Sequence, residues 1–351
     1  MKATHRLIAI LAFWLALPIQ GQSQGIKDRL QETIRHSKFN GSVLVSHEGN
    51  VLLSAGYGFA NHEERLANTQ STQHRIGSIT KQFTAMAVLM LEEQGKLDTQ
   101  AKVGSYLKSV PNTWKKLTIH QLLTHTSGLT HSWSVPAFAR NGSKPRSLDE
   151  TLKLFYDLPL KFEPGTSFQY SGVGYFLLAK IIESQSNQSY AAFLQEHVFK
   201  PLGMKNTGCD HPDHRPDKAS TGYRVNPRGD RRLTPRFYMP LLTGGGNLYS
   251  TVEDMNRWDQ ALTEHKLISK ESYHRMYQTE RRNYAYGWIV RKQGGERWIH
   301  HGGGVPGHTS FFLRNPARNL CVILMSNHQT KGGQLSAFRL AKMVLDAIDQ
   351  E

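Results

Sequence analysis

Runs with the signature of β-strands lie near the two ends of this chain, while its long middle is patterned for helix. That division constrains the fold more than any other feature. Near the start, Gly41-Ser42-Val43-Leu44-Val45-Ser46 and Val51-Leu52-Leu53-Ser54-Ala55-Gly56-Tyr57-Gly58 flank the turn His47-Glu48-Gly49-Asn50, a hairpin signal. Near the end, strand patterns recur at 286–291, 297–300, 309–313 and 320–325. From 78 to about 203 helical patterns dominate, and 117–124, 148–158 and 175–184 read as helices separated by breakers such as Pro159, Pro164-Gly165 and Pro201. A short amphipathic helix at 26–35 precedes the first strand. Another helix follows Ser250 or Thr251, with Glu253 and Asp254 in its first turn. A closing helix at 335–348 carries Phe338, Leu340, Met343, Val344 and Ile348 at core spacing. Residues 61–73 are polar and read as a loop, and 206–240, rich in Pro, Asp, Arg and His, as a long surface excursion that shapes substrate access. One sheet assembled from both termini is expected (roughly 24–77 and 245–351), with a mainly helical subdomain inserted at roughly 78–244.

The first residues set the address. Met1-Lys2-Ala3-Thr4-His5-Arg6 is basic and is followed by an apolar run over 7–19, short for a membrane span. Small residues Gly21 and Ser23 offer a cleavage site, so 1–23 reads as a signal peptide and the mature chain as starting near Gln24. No cysteine follows the run, which argues against a lipid anchor, and no later stretch is apolar enough to span a bilayer. An exported, periplasmic or secreted protein is expected. Cys209 and Cys321 are too few for a disulfide scaffold, so the fold must stand on its core. The 43 Lys and Arg against 28 Asp and Glu give +15, a balance suited to anionic cell-wall polymer or a membrane surface, although a solvated basic surface with no partner is the simpler reading. The basic residues are dispersed, and with an export signal this argues against nucleic acid as a partner.

Chemistry centres on Ile76-Gly77-Ser78-Ile79-Thr80-Lys81, which runs into a helix carrying Phe83, Met86, Ala87, Met90 and Leu91 at apolar spacing. Ser78 and Lys81 are three residues apart, so their side chains share a helix face. A serine hydroxyl is a poor nucleophile until a base takes its proton, and a partly desolvated lysine is such a base. The field of a helix N-terminus stabilises a developing oxyanion and lowers the lysine pKa. Read alone, the spacing occurs often by chance, and the pair is more simply an N-cap and a solvated lysine.

Three further stretches bear on Ser78. Phe168-Gln169-Tyr170-Ser171-Gly172 places a tyrosine in a tight turn, where a nearby lysine would lower its pKa and let it pass a proton to a leaving group. In His300-His301-Gly302-Gly303-Gly304-Val305, the glycines admit a substrate backbone, and the Gly304 and Ser78 N–H groups would form an oxyanion hole. His301 offers a positive or hydrogen-bonding group. The third stretch, Leu122-Leu123-Thr124-His125-Thr126-Ser127-Gly128-Leu129, packs and caps rather than reacts. No Gly-x-Ser-x-Gly elbow, His-Glu-x-x-His run or phosphate loop is present. His211-Pro212-Asp213-His214 lacks a third ligand, so neither metal nor organic cofactor is expected.

Taken in order, these pieces resemble the serine β-lactamase and penicillin-binding-protein-like family, in the branch of class C β-lactamases, DD-carboxypeptidases, D-amino-acid-specific peptidases and related esterases. The family's S-x-x-K box matches Ser78 to Lys81, its Y-x-N box Tyr170-Ser171-Gly172, and its K-T-G or H-x-G box His301-Gly302-Gly303. The resemblance implies an α/β fold of β-lactamase/transpeptidase type with an antiparallel sheet flanked by helices. It makes Ser78 the acylated nucleophile, with Lys81 and Tyr170 sharing the base and acid roles. His301 would bind a substrate carboxylate or tune Tyr170, and Gly172, Gly302 and Gly303 would lie along the substrate. The substrate would be a small molecule or peptide of cell-wall kind: a β-lactam, a D-amino-acid peptide or an ester. Gly172 departs from the pattern, because the family's asparagine amide, which holds the lysine and a substrate amide, is missing. That loss, with His301 in place of a lysine, favours ester or small-peptide cleavage over β-lactam turnover. The alternative implied by the same fold is a non-hydrolytic protein that recognises penicillin-like ligands.

Overall fold

The computed structural model describes residues 19–140, 142–211, 216–330 and 333–349. Residues 1–18, most of the expected signal segment, and 212–214 of the histidine-bearing loop lie outside the described residues. In chain order the framework is α1 (Ile19–His36), β1 (Gly41–His47), β2 (Asn50–Tyr57), α2 (Thr80–Glu93), α3 (Gly172–Ser186) and α4 (Val252–Thr263). It continues with β3 (Ile289–Gln293), β4 (Glu296–Val305), β5 (His308–Asn315), β6 (Leu320–Ser326) and α5 (Gly333–Ile348). The six strands form one sheet in the order β3-β4-β5-β6-β1-β2, antiparallel throughout. The β1–β2 hairpin closes through Glu48 and Gly49, both at positive φ (52° and 81°), the geometry a two-residue turn needs to match strand twist.

Side-chain alternation assigns the two faces of the sheet. Val43, Val45, Phe311, Leu313, Val322 and Leu324 point to the face covered by α1 and α5. Leu44, Phe312, Cys321, Ile323 and Met325 point to the larger core, which α4 and α2 share with the helical region. Helix α2 lies inside that core and is buried nearly all round, so its polar Thr80, Lys81, Gln82 and Thr84 are buried with its apolar residues. Cys209 and Cys321 are both free. No helix among the described residues is long and apolar enough to cross a membrane.

Several elements differ from expectation for physical reasons. Helix α1 starts at Ile19 rather than 26 and runs past Gln24. Strand β3 begins at Ile289, because Gly287 turns the chain at φ +77°; a methyl group there would lie 2.7 Å from the Lys81 carbonyl. Strand β4 runs on to Val305, through the glycines. The helix expected over 148–158 stops at Lys153, and 117–124 is reduced to Ile119–Leu123. Part of 206–240 is paired rather than loose: Tyr223–Val225 and Arg231–Leu233 join His328–Thr330 in a small sheet, and Gly208–Cys209 pairs with Leu248–Ser250. Helix α5 is rotated from its expected face. Phe338 and Met343 are exposed, and Ala337, Leu340, Ala341, Val344, Ala347 and Ile348 face the sheet. Alanines let that helix sit close to the strands, a preference that side-chain size hides.

Candidate active site

Ser78 lies in a tight 3-10 turn, Gly77–Ile79, that leads straight into α2. Gly77 takes φ +52°, and a methyl group on it would sit 2.6 Å from the Gly304 nitrogen, so β4 presses backbone to backbone against this turn. At Gly303 the space of a methyl is taken by the Ile76 carbonyl and Ser310 Oγ, and Ser310 donates to that carbonyl at 2.7 Å. The glycine run therefore docks the nucleophile's turn. The residue before α2 makes no side-chain cap, so Ser78 is not spent as an N-cap.

Lys81 Nζ donates to Ser78 Oγ at 3.2 Å and to the Gly245 carbonyl at 2.6 Å. The residue is 1 % exposed, and among the described residues it has no carboxylate partner. Burial pushes its pKa down to about 7, so the amine is partly neutral at physiological pH. The ammonium lies 5.0 Å from the centre of the Tyr170 ring and 5.3 Å from that of Tyr175.

Tyr170 faces the same point, but its acidity runs against expectation. Burial pushes the phenol above its usual value, and the Ser78 hydroxyl beside it offsets this only partly. Among the described residues its hydroxyl has no partner in regular hydrogen-bond geometry. Of the two roles expected for His301, the surroundings suit the hydrogen-bonding one and not the positive one. The residue is buried, its Nε2 is 3.1 Å from the Tyr284 hydroxyl and its Nδ1 is 2.7 Å from the Gly302 carbonyl. Burial, then the Lys81 charge, lowers its pKa to about 3, so it offers a neutral hydrogen-bonding ring and no positive charge.

A cavity of about 1040 Å³ opens over Ser78 and is walled by Tyr170, His301, Gly302 and Gly304. Gly172 and Gly303 stand behind this wall. A methyl group on Gly172 would meet Ser132 Oγ at 2.7 Å. Three aromatic residues beside the site had no signal of their own in the sequence. Tyr284 holds His301. His125, inside the stretch expected only to pack, takes φ +60°; its carbonyl accepts from Gln169 N–H and its Nδ1 from Ser171 N–H, a clamp on both sides of Tyr170. His131 Nδ1 accepts from Gly172 N–H at 3.4 Å, and its ring stands edge-on to Tyr170 at 5.5 Å. Among the described residues no cluster of three or more metal-ligating side chains occurs.

Known proteins share this arrangement of elements. The family model described as Beta-lactamase matches residues 26–343. A putative penicillin-binding protein of Bacillus subtilis, PbpX, is 31 % identical over 317 residues, covering 88 % of this chain and 77 % of the relative. The crystal structure of a penicillin-binding protein from Bacillus halodurans superposes with a TM-score of 0.78 at 27 % identity, over 89 % of this chain and 99 % of that one. A D-amino acid amidase from Ochrobactrum anthropi SV3 has the same fold, with a TM-score of 0.81 at 21 % identity, over 94 % of this chain and all (100 %) of that one.

Proposed function

Since the chain belongs to the beta-lactamase family, we propose that it is an exported serine hydrolase that cleaves an ester or amide through an acyl-enzyme on Ser78. The observation that carries this reading is the buried Lys81 amine 3.2 Å from Ser78 Oγ, with its pKa brought down to about 7. A base is most effective when its pKa lies near the working pH. Neutral Lys81 takes the Ser78 proton as Oγ attacks the substrate carbonyl. The oxyanion is held by the N–H groups of Ser78 and Gly304, a reading supported by both residues lining the same cavity. Tyr170, kept neutral by burial, gives its proton to the leaving group and is reprotonated from Lys81. Water then attacks the ester on Ser78, and the same pair takes its proton and passes it to the departing Ser78 Oγ, which frees the acid and restores the enzyme. Lys81 is the better base of the two, because burial that lowers an amine pKa raises that of a phenol.

The substrate class is an acyl compound of cell-wall kind: a carboxylic ester, a D-amino-acid peptide or a β-lactam. Relatives named as penicillin-binding proteins support the choice. The neutral His301 and the missing asparagine amide weight it toward esters and small peptides. Export rests on the basic then apolar start of the chain. Purified protein should hydrolyse a p-nitrophenyl ester faster than a chromogenic cephalosporin, and Ser78→Ala should do neither. Normal ester turnover by Ser78→Ala refutes the assignment. A stable acyl adduct by intact mass, without turnover, would favour a penicillin-recognising protein instead.

A further inference from the structure

The site lacks a side-chain amide at Gly172, yet the space beside that residue is filled. Residues 131 and 132 close over it: Ser132 Oγ lies 2.7 Å from where a methyl group on Gly172 would be, and Gly172 N–H donates to His131 Nδ1. That hydrogen bond fixes the tautomer. With Nδ1 as acceptor, the proton of the neutral ring sits on Nε2. The ring stays neutral because burial, helped by the Lys81 charge, lowers its pKa to about 4. His131 is only partly buried and lines the cavity over Ser78. It stands edge-on to Tyr170. Its Nδ1 is occupied, and among the described residues Nε2 has no hydrogen-bond partner on this half-buried cavity wall. A donor with no protein acceptor, on the wall of a cavity beside the nucleophile, is available to a ligand.

We infer that His131 Nε2–H binds a carbonyl oxygen on the acyl side of the substrate and so stands in for the side-chain amide that Gly172 lacks. The inference rests on the acyl-enzyme reading and sharpens it to a substrate class. Acyl groups that carry an amide close to the reacting carbonyl, as N-acylated amino acids do, should be preferred over plain alkyl acyl groups of similar length. A neutral imidazole donor is one hydrogen bond, so its loss should cost about tenfold in discrimination.

The test is the ratio of kcat/KM for p-nitrophenyl N-acetylglycinate to that for p-nitrophenyl pentanoate, measured with Ser78→Ala as blank. The ratio should favour the acetylglycinate in the native protein and fall about tenfold in His131→Phe, which keeps a ring but no donor. His131→Gln, which can both accept from Gly172 N–H and donate, should keep most of the preference. A ratio unchanged in His131→Phe overturns the inference. So does a fall in both rates together, which would make His131 a support for the Gly172 turn alone. If neither ester is turned over above the Ser78→Ala blank, the hydrolase reading itself fails, and this inference with it.

Discussion

His300 and His301 are neighbours on β4, and the sheet sends them to opposite worlds. His301 points to the cleft face, where Tyr284 and the Gly302 carbonyl take its two nitrogens. His300 points to the other face, packed against Phe311 and Phe338 beneath α5. Both of its ring nitrogens are buried without a hydrogen-bond partner among the described residues. Burial holds both rings neutral, with pKa values lowered to about 3 for His301 and about 4 for His300. A histidine pair in a sequence therefore says little about chemistry. What distinguishes them is the face: one side meets a nucleophile and a cavity, the other a groove of about 340 Å³ under a helix.

Substitutions on the cleft face should act on rate. Tyr170→Phe should lower kcat by about 10²- to 10⁴-fold with a smaller change in KM. If KM alone moved, Tyr170 would be a binding group and the cleft face would lose its proton donor. His301→Phe keeps the ring and removes the contact with Tyr284; kcat/KM should fall by at least about tenfold, measured on the same ester. Full activity would make the two histidines equivalent in function and break the comparison.

A pH profile sharpens the same side. Lys81 has its folded pKa lowered to about 7 and acts as a base only when neutral. Below pH 7, kcat/KM should drop about tenfold per unit, and it should level off above. A profile flat from pH 5 to 8 would remove Lys81 as the base.

Gly172→Asn, which restores the family's amide, tests the wall behind the cleft. Its side chain must displace Ser132 Oγ, so the single variant should lose about 1–3 kcal/mol in denaturant unfolding, and adding Ser132→Ala should recover part of that. With the amide in place, β-lactam or amide hydrolysis should rise relative to ester hydrolysis; an unchanged ratio would end the case for an ester preference drawn from Gly172.

The smallest effect belongs to the back face. His300→Leu removes an unsatisfied buried ring and should leave ester turnover as it is, while changing stability by no more than about 1 kcal/mol at pH 7. In acid the variant should gain. Native His300 resists protonation down to about pH 4, whereas the unfolded chain takes up a proton near 6.5. Stability is therefore lost at this site as pH falls from 6.5 to 4, and the substitution should remove that loss. Thermal melts at pH 7 and pH 5 would show it. A large drop in turnover would mean the two faces are coupled.

Local pattern carried much of this protein. The apolar runs around Val43-Leu44-Val45 and at 320–325 are enough to predict strands, and His47-Glu48-Gly49-Asn50 a tight hairpin. The three-residue spacing of Ser78 and Lys81 put both on one face of a helix, and motif order marked Tyr170 and His301 as their companions. These are properties of a few neighbouring residues, which is the range over which a sequence speaks directly. The tertiary structure decided the rest, because protonation and contact depend on what is brought near from far along the chain. Lys81 is brought to about 7 only by burial within the core, and Tyr170 is driven upward by the same burial. His125 and His131 reach the Tyr170 turn from more than one helix away, and Ile76 takes the space that Gly303 leaves open. Spacing along a chain names the reacting groups; only their packing sets which of them holds the proton.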